Sequence, residues 1–147
     1  MNARALIKKH EGFSNVPYKC PAGHLTIGWG HNIDAHPLPQ DIAGYLFAKG
    51  YILPEHAERL LADDIEMATQ DCRRAFFGFD GFSEARQAAL IDFMFNLGIT
   101  RAMKFKNARK AIIAGEWNRA ADEMYLSHWR EQVGDRAETI IGMVRKG

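Results

Sequence analysis

All five prolines of this 147-residue chain lie within its first 54 residues, at positions 17, 21, 37, 39 and 54. Proline has no backbone N–H, and its ring clashes with the preceding helical turn, so helix interiors exclude it. Residues 55–147 contain no proline and can be helical throughout. The chain therefore divides into an N-terminal part in which turns and strands are expected and a longer part built from helices.

Helical periodicity begins directly at Pro54. From there, apolar residues at helical spacing predict a long helix over about residues 55–75. After the glycine-containing stretch 78–81, Ser83 is suited to cap a segment that is apolar on most of its circumference. A helix with this pattern is normally buried.

Three further helices are predicted towards the C-terminus. One covers about residues 108–114 and stops at Gly115, and another covers about 117–125. In the last one, Asp135 and Glu138 have the spacing of a capping box, and one face is apolar.

The N-terminal part predicts one short helix and one β-hairpin. Asn2 is suited to the N-cap of an amphipathic helix that ends near Glu11. Residues 17–30 have the pattern of strand, tight turn and strand, and no helix is predicted over residues 34–54. The expected fold class is α+β and mostly helical.

Composition narrows the functional classes. The chain is 47% hydrophobic, with a net charge of +1 and two cysteines. This suits one domain and gives no reason to expect a nucleic-acid partner, a framework of disulfides or a membrane anchor. The N-terminus lacks the apolar core of a signal peptide, so we expect the chain to fold in the cytoplasm.

Charge is distributed unevenly along the chain. Residues 1–99 carry 9 Lys and Arg against 12 Asp and Glu, whereas residues 100–147 carry 10 against 6. A basic C-terminal part favours association with an acidic polymer, although a solvated basic face is the more common explanation of such a pattern.

Glu11 is the candidate acid for glycosidic bond cleavage. This reaction needs a group that protonates the leaving oxygen and a second group that activates water or attacks the sugar. A glutamate at a helix end can serve as the donor if partial burial keeps it protonated near neutral pH. On its own, a glutamate beside a glycine is more often a solvated surface residue.

A larger pattern surrounds this glutamate. Glu11, Cys20 and Thr26 are followed at once by the residues Ile-Gly-Trp-Gly-His at 27–31. This spacing resembles the signature of the T-even phage-type lysozymes, glycoside hydrolase family 24. The resemblance extends over nearly the whole chain, through His-Glu-Gly-Phe at 10–13, Phe-Asn-Leu-Gly at 95–98 and Ser-His-Trp at 127–129.

The resemblance implies a lysozyme-like architecture within a single domain. A small N-terminal lobe over about residues 13–55 would be joined by the helix over about 55–75 to a helical C-terminal lobe over about 76–147, on which helix 1–11 would pack. The cleft between the lobes would bind a glycan strand of peptidoglycan and cleave the β-1,4 bond between N-acetylmuramic acid and N-acetylglucosamine.

The resemblance also implies residue roles. Glu11 would protonate the glycosidic oxygen, and Thr26 would hold the attacking water or the sugar. Four residues would contact substrate or lie near Glu11, namely Phe95, Asn96, Trp129 and Arg136, although core packing explains the aromatic residues equally well. His31 would form a structural pair with Asp64.

Cys20 departs from the commoner pattern, which has an aspartate at this position. A thiolate there can act as a base or as a nucleophile, and the second role would change inversion to retention. The residues alone leave this choice open. A small half-buried hydrophobe on a strand is the alternative interpretation of Cys20.

Three other functions remain as alternatives. Cys20 and His24 flank a tight turn, as a nucleophile and base of a peptidoglycan amidase would. A catalytically inactive binding module and a lytic transglycosylase are the others. The six histidines show no metal-ligand spacing, so no metal or other cofactor is expected. The expected partner is bacterial peptidoglycan, and we expect a monomer released from the host cytoplasm through a holin-made lesion.

Overall fold

The computed structural model describes residues 2–147, which form two compact units. The first, called here the sheet unit, contains residues 7–64. The second, called the helical unit, contains residues 2–6 and 65–147. The boundaries fall inside the first helix and inside the long helix that begins at Pro54. The lobe arrangement inferred from the sequence stays a prediction.

The N-terminal helix, α1, runs from Ala3 to Glu11. The Asn2 side chain accepts a hydrogen bond from the Ala5 N–H at 2.9 Å, which confirms the predicted N-cap. Gly12 follows with a φ of +69°, a conformation that suits glycine and ends the helix. The helix end therefore falls directly after the candidate acid.

A three-stranded antiparallel sheet follows, in the order β1 (Ser14–Lys19), β2 (Leu25–Gly28) and β3 (His31–Asn32). The predicted hairpin is confirmed, with Tyr18 opposite Thr26 across β1 and β2. The pairing of β1 with β2 is irregular between Ser14 and Tyr18, around Pro17, which has no N–H to donate. The short third strand is an addition that the sequence did not indicate.

The core of the sheet unit is aliphatic. It consists of Ile27, Ile42, Ile52, Ala57 and Leu60. Two helices contribute to it, α2 (Gln40–Lys49) and α3 (Pro54–Ala75). The long helix was predicted almost to its ends.

The sequence predicted no helix over residues 34–54, but α2 lies within this range. Pro39 is its N-cap residue, a position where the missing N–H has little cost. Gly50 ends it in the left-handed conformation, with its N–H bonded to the Leu46 carbonyl. The prolines thus delimit this helix instead of excluding it.

The helical unit contains most of the remaining elements. These are a short 3-10 helix (Phe79–Gly81), α4 (Glu84–Leu97), α5 (Ile99–Ala102), α6 (Lys106–Ala114), α7 (Trp117–Tyr125), α8 (His128–Val133) and α9 (Asp135–Lys146). Ser83 caps α4 by accepting from the Arg86 N–H, and most of α4 is buried, as predicted. Within residues 2–147, no helix is both long enough and apolar enough to span a membrane.

The predicted capping box at the start of α9 was wrong. Gly134 occupies the N-cap, Asp135 is already helical, and no side chain caps this end. Glu138 instead accepts a hydrogen bond from Arg130 Nε at 2.9 Å. The predicted apolar face of α9 is confirmed, since Ala137, Ile140, Ile141 and Val144 are buried.

Candidate active site

Glu11 is the last residue of α1, and one turn earlier Lys8 attaches this end of the helix to the rest of the sheet unit. Lys8 Nζ lies 2.5 Å from Glu58 Oε1 on α3 and 4.2 Å from the ring centroid of Trp29. The Trp29 ring in turn packs against Phe13, with centroids 4.8 Å apart. These contacts fix the backbone that carries Glu11 against both the sheet and α3.

Gly30, in the turn between β2 and β3, packs directly against the Glu11 side chain. A Cβ at position 30 would lie 2.6 Å from Glu11 Cδ and 2.7 Å from Oε1. Its φ of +72° is also a conformation that L residues with side chains rarely adopt. A glycine at position 30 therefore leaves room for the carboxyl group of Glu11.

Tyr18 lies between the predicted catalytic residues. It pairs with Thr26 across the hairpin. Its burial, followed by the nearby charges of Glu11 and Cys20, raises the pKa of the phenol. Glu11 and Cys20 therefore both lie near the Tyr18 phenol, and Thr26 is the cross-strand partner of Tyr18.

The Cys20 thiol is half-buried at the start of the hairpin turn. Burial acts to raise its pKa, but hydrogen bonds to the sulfur outweigh burial and lower it. The donors are the backbone N–H groups of His24, Ala22 and Gly23 and the side chain of Thr26. Several N–H groups that donate to the same sulfur stabilise its thiolate form.

Thr26 is buried, and its hydroxyl also donates to the His24 carbonyl oxygen at 2.9 Å. A hydroxyl has one hydrogen, so donation to His24 and donation to Cys20 are alternatives. In both arrangements a lone pair of the Thr26 oxygen can accept a hydrogen bond from water or a sugar hydroxyl.

Together these residues offer a carboxyl group, a thiol inclined to ionise and a hydroxyl within one unit. This set can donate a proton and supply a base or nucleophile, as glycoside cleavage requires. The contacts between Cys20 and His24 are made by the main chain of His24, which also pairs its carbonyl with the Cys20 N–H. Among residues 2–147, no three His, Cys, Asp or Glu side chains cluster to hold a metal ion.

The other predicted site residues lie in the helical unit. Trp129 is 2% exposed and packs edge-on against Phe93, with ring centroids 4.9 Å apart. Its Nε1 donates to Asn96 Oδ1 at 2.8 Å. Phe95 and Asn96 are half-buried at the end of α4. These contacts favour core packing for Trp129, whereas sugar contacts by Phe95, Asn96 and Trp129 stay predictions.

Arg136 is held by a buried carboxylate. Its guanidinium donates to Asp92 Oδ1 at 2.6 Å, and the Asp92 side chain is fully buried on α4. A charge-assisted bond to a buried partner restricts where the guanidinium can lie. The expectation that Arg136 lies near Glu11 stays a prediction.

His31 and Asp64 form the predicted structural pair, with Nδ1 and Oδ2 2.7 Å apart. The other ring nitrogen lies 2.8 Å from the His36 carbonyl oxygen. Both partners are acceptors, so the protonated ring, which carries hydrogen on both nitrogens, satisfies both contacts. Burial alone would lower the pKa of His31, but the hydrogen bond and charge of Asp64 raise it overall.

Comparison with known proteins adds the decisive finding. The family described as phage lysozyme matches residues 8–146. The chain belongs to the phage lysozyme family. It is therefore a lysozyme-type glycosidase, of the muramidase kind, and peptidoglycan is the substrate that this family implies.

Individual relatives are distant in sequence but match nearly all of this chain. Probable T4-type lysozyme 1 of Dictyostelium discoideum is 25% identical over 97% of this chain and 92% of its own length. The endolysin of Acyrthosiphon pisum secondary endosymbiont phage 1 is 24% identical over 96% of this chain and 86% of its own. The pre-baseplate central spike protein Gp5 of Enterobacteria phage T4 is 26% identical over all of this chain, but over only 28% of Gp5.

Sequence reasoning gave no chemical role to two residues that contact groups described above. Tyr18 was assigned to a strand, and its pairing with Thr26 places it opposite that residue. Asp92 carried a signal that could have been used, because it is an acidic residue within the otherwise apolar helix α4. A charge in a buried helix needs a partner, and Arg136 is that partner.

Proposed function

We propose that this lysozyme hydrolyses the β-1,4 bond between N-acetylmuramic acid and N-acetylglucosamine in peptidoglycan, with Glu11 as the general acid. The observation that carries the proposal is the packing of Gly30 against the Glu11 carboxyl. A backbone that admits no side chain at that point holds the carboxyl beside the sheet that contains Thr26, and Cys20 directly follows strand β1 of this sheet.

The remaining steps are divided between two residues. Thr26 accepts a hydrogen bond from the attacking water or from a sugar hydroxyl through its free lone pair. Cys20, whose pKa is lowered, supplies the negative group that usually comes from an aspartate. As a base it activates water, whereas as a nucleophile it forms a thioglycoside that water then hydrolyses.

The first test is Glu11→Gln, which keeps the shape of the side chain but cannot donate a proton as an acid. We expect the rate of peptidoglycan hydrolysis to fall about 10²- to 10⁴-fold, the usual contribution of general acid catalysis. New reducing sugar ends should be counted. Glu55→Gln, a change at an exposed carboxylate of the sheet unit, serves as the control and should retain most activity.

Analysis of the products distinguishes hydrolysis by this lysozyme from cleavage by an amidase or by a lytic transglycosylase. Hydrolysis yields reducing sugar ends, cleavage by an amidase yields free amines, and lytic transglycosylation yields anhydro sugar ends visible by mass spectrometry. Activity that persists in Glu11→Gln with release of amines contradicts the proposal.

The biological role proposed is lysis of a bacterial host. The enzyme accumulates in the cytoplasm as a monomer and reaches peptidoglycan after a holin opens the membrane. The phage origin of the endolysin relative supports this role.

A further inference from the structure

An open cavity of about 500 Å³ lies on the helical unit, and its lining includes none of the residues assigned above to chemistry. It is bounded by the first turn of α4, the turn that precedes α7, the start of α7 and the end of α9. Its volume is within the range of roughly 300–1,000 Å³ that ligand pockets have. We call it the arginine pocket, and the lining residues that carry the argument are Arg86, Glu116, Trp117, Asn118, Arg119 and Arg145.

Arg86 is held in this pocket by neutral groups. Its Nε donates to the Val144 carbonyl oxygen at 2.8 Å, and its Nη2 donates to the Arg145 carbonyl oxygen at 3.1 Å. The guanidinium carbon lies 4.3 Å from the centroid of the Trp117 ring. These contacts fix the plane of the guanidinium and leave the hydrogens of Nη1 available to a ligand.

The charge of Arg86 has no acidic counterpart. Its guanidinium forms no ion pair with an acidic side chain of the described range 2–147. Burial lowers the pKa of Arg86, and no neighbouring carboxylate offsets this effect. A half-buried cation with neutral partners is stabilised when an anion binds beside it, because the anion replaces part of the lost hydration.

The other two arginines of the pocket are already paired. Arg119 Nη1 lies 3.4 Å from Glu116 Oε2, and Arg145 Nη2 lies 2.8 Å from Asp122 Oδ1. Three guanidinium groups against two carboxylates leave one positive charge, which matches a ligand with one negative charge. A carboxylate fits this requirement better than a phosphate monoester, which carries about −1.5 to −2 at pH 7.

The remaining polar groups of the pocket suit hydroxyl groups. Within residues 2–147, neither Trp117 Nε1 nor the side-chain amide of Asn118 has a hydrogen-bond partner. The indole N–H donates, and the amide both donates and accepts, as the hydroxyl groups around a sugar ring require. A fatty acid would find little apolar surface here, because Trp117 is the only large apolar side chain in the lining.

We propose that the arginine pocket binds a sugar that carries one carboxylate, with the carboxylate on Arg86 and the ring hydroxyls on Trp117 Nε1 and Asn118. The pocket attaches the enzyme to acidic glycans and takes no part in cleavage, so the inference does not depend on the proposed function. Two kinds of sugar have this chemistry, a uronic acid and a muramic acid whose lactyl carboxylate is free.

Three small probes separate the charge from the sugar. Methyl β-D-glucuronide has both, methyl β-D-glucoside has only the sugar, and acetate has only the charge. Each is titrated into the full chain at low salt, with the indole N–H of Trp117 and the backbone N–H groups followed by NMR. We expect the glucuronide to shift Trp117 and Asn118, and the other two probes to bind about tenfold more weakly.

The source of the sugar is decided by a fourth probe, the methyl glycoside of N-acetylmuramic acid. It carries the lactyl carboxylate in place of the uronic one. Whichever of the two acidic glycosides binds more tightly at Trp117 identifies the kind of sugar that the pocket accepts. High salt should weaken both, because the contact with Arg86 is partly exposed.

Matched variants test the charges of the pocket. Arg119→Gln should weaken binding of the glucuronide about threefold, and Glu116→Gln should strengthen it about threefold, since each charge is exposed. Arg74→Gln is the control, because it removes a similarly exposed arginine from a similar pair with Asp71 outside the pocket. It should bind the glucuronide as the wild type does.

Two further variants test the direct contacts. Arg86→Gln should weaken binding of the glucuronide about tenfold and leave that of the glucoside unchanged. Because Arg86 also holds the end of α9, this variant is used only if its urea unfolding shows a folded chain, and the Arg119 and Glu116 variants decide the charge otherwise. Asn118→Ala should weaken binding of both glycosides and leave that of acetate unchanged.

Several results overturn the inference. They are equal binding of the glucuronide and the glucoside, equal binding of the glucuronide and acetate, equal effects of Arg119→Gln and Arg74→Gln, and shifts that are absent from Trp117 and Asn118. Arg119→Gln should hydrolyse peptidoglycan at the wild-type rate. A wild-type chain that makes no reducing ends refutes the proposed function instead, and the titrations still decide the pocket.

Discussion

At the residue scale, the two cysteines show how surroundings set reactivity. Cys72 is buried, its thiol donates to the Leu90 carbonyl oxygen, and burial raises its pKa well above the ordinary value. Cys20 receives hydrogen bonds from backbone N–H groups and from Thr26, and its pKa is lowered. The same side chain is therefore inert in one place and poised to ionise in the other.

This contrast predicts the pH dependence of position 20. In the wild type, activity should rise with pH through the lowered pKa of Cys20, because the thiolate is the reacting form. In Cys20→Asp this rise in activity should move to lower pH, towards the aspartate reference pKa of about 3.9. Cys20→Ser should not show this rise with pH, and its rate should be lower by roughly 10²-fold or more.

Initial rates on purified peptidoglycan over a pH series provide the measurement, and NMR of the first product gives its anomeric configuration. Retention in the wild type with inversion in Cys20→Asp identifies the thiolate as a nucleophile, and inversion in both identifies it as a base. Wild-type rates and an unchanged pH profile in Cys20→Ala would show that the thiol has no part in catalysis.

Gly30 gives a second prediction at this scale. Gly30→Ala places a Cβ against Glu11 and strains a positive φ, so we expect about 1–3 kcal/mol less stability and up to about 10²-fold less activity from the displaced carboxyl. Gly50→Ala has similar backbone strain, with φ +84° and open space around its Cβ, and should lose stability but keep its activity.

Urea unfolding and reducing-end assays at a temperature where both variants are folded make this comparison. Equal activity in the two variants would mean that Gly30 serves only the backbone and does not position Glu11.

At the scale of elements, β3 and α3 are joined by a buried ion pair. His31 is the first residue of β3, and Asp64 lies on α3, 33 positions further along the chain. The pair is 6% and 9% exposed at its side chains, so solvent screens it little. A two-residue strand has few hydrogen bonds of its own, and this pair holds it in place.

The pair predicts a specific dependence of stability on pH. The pKa of His31 is raised in the folded state, so folding favours its protonated form. The contribution is complete below the unfolded histidine value of about 6.5 and is lost as pH rises through the folded pKa. His31→Asn should cost about 3–5 kcal/mol at low pH, because it leaves Asp64 buried without its partner, and less at high pH.

The free energy of unfolding, from urea titrations at several pH values, measures this difference. His128→Asn changes a histidine whose side chain is 95% exposed and should show no such trend. A difference between wild type and His31→Asn that stays constant across the pH series would contradict the assignment.

At the scale of the whole molecule, the proposed role in host lysis depends on when the enzyme reaches peptidoglycan. Peptidoglycan lies outside the cytoplasmic membrane, so a chain that accumulates in the cytoplasm should leave the cells intact. Turbidity should fall only after the membrane is permeabilised, for example by a co-expressed holin. Cells that express Glu11→Gln at the same level should stay turbid after the same treatment.

Lysis of cells that express the wild type with an intact membrane would contradict cytoplasmic retention, even if the hydrolytic activity is confirmed. The measurement therefore separates the route of release from the reaction.

The sequence by itself determined the features that depend on near neighbours. The helical periodicity after Pro54 located α3, α4, α6, α7 and α9 but not the short helices α5 and α8. Asn2 and Ser83 marked helix starts, and the spacing of Glu11, Cys20 and Thr26 led to the lysozyme family. Such signals act over a few residues, within one helical turn or one tight turn, so they can be read without the fold.

Only the tertiary structure decided how distant residues meet. Gly30 against Glu11, Tyr18 opposite Thr26, and Arg136 on Asp92, 44 positions away, are contacts between separate elements. The strand β3 exists because β2 supplies its hydrogen bonds. At the start of α9, Gly134 takes the N-cap position expected for Asp135, and Glu138 bonds to Arg130 on α8 instead. These outcomes depend on which surfaces pack together, and the local pattern of residues does not encode that choice.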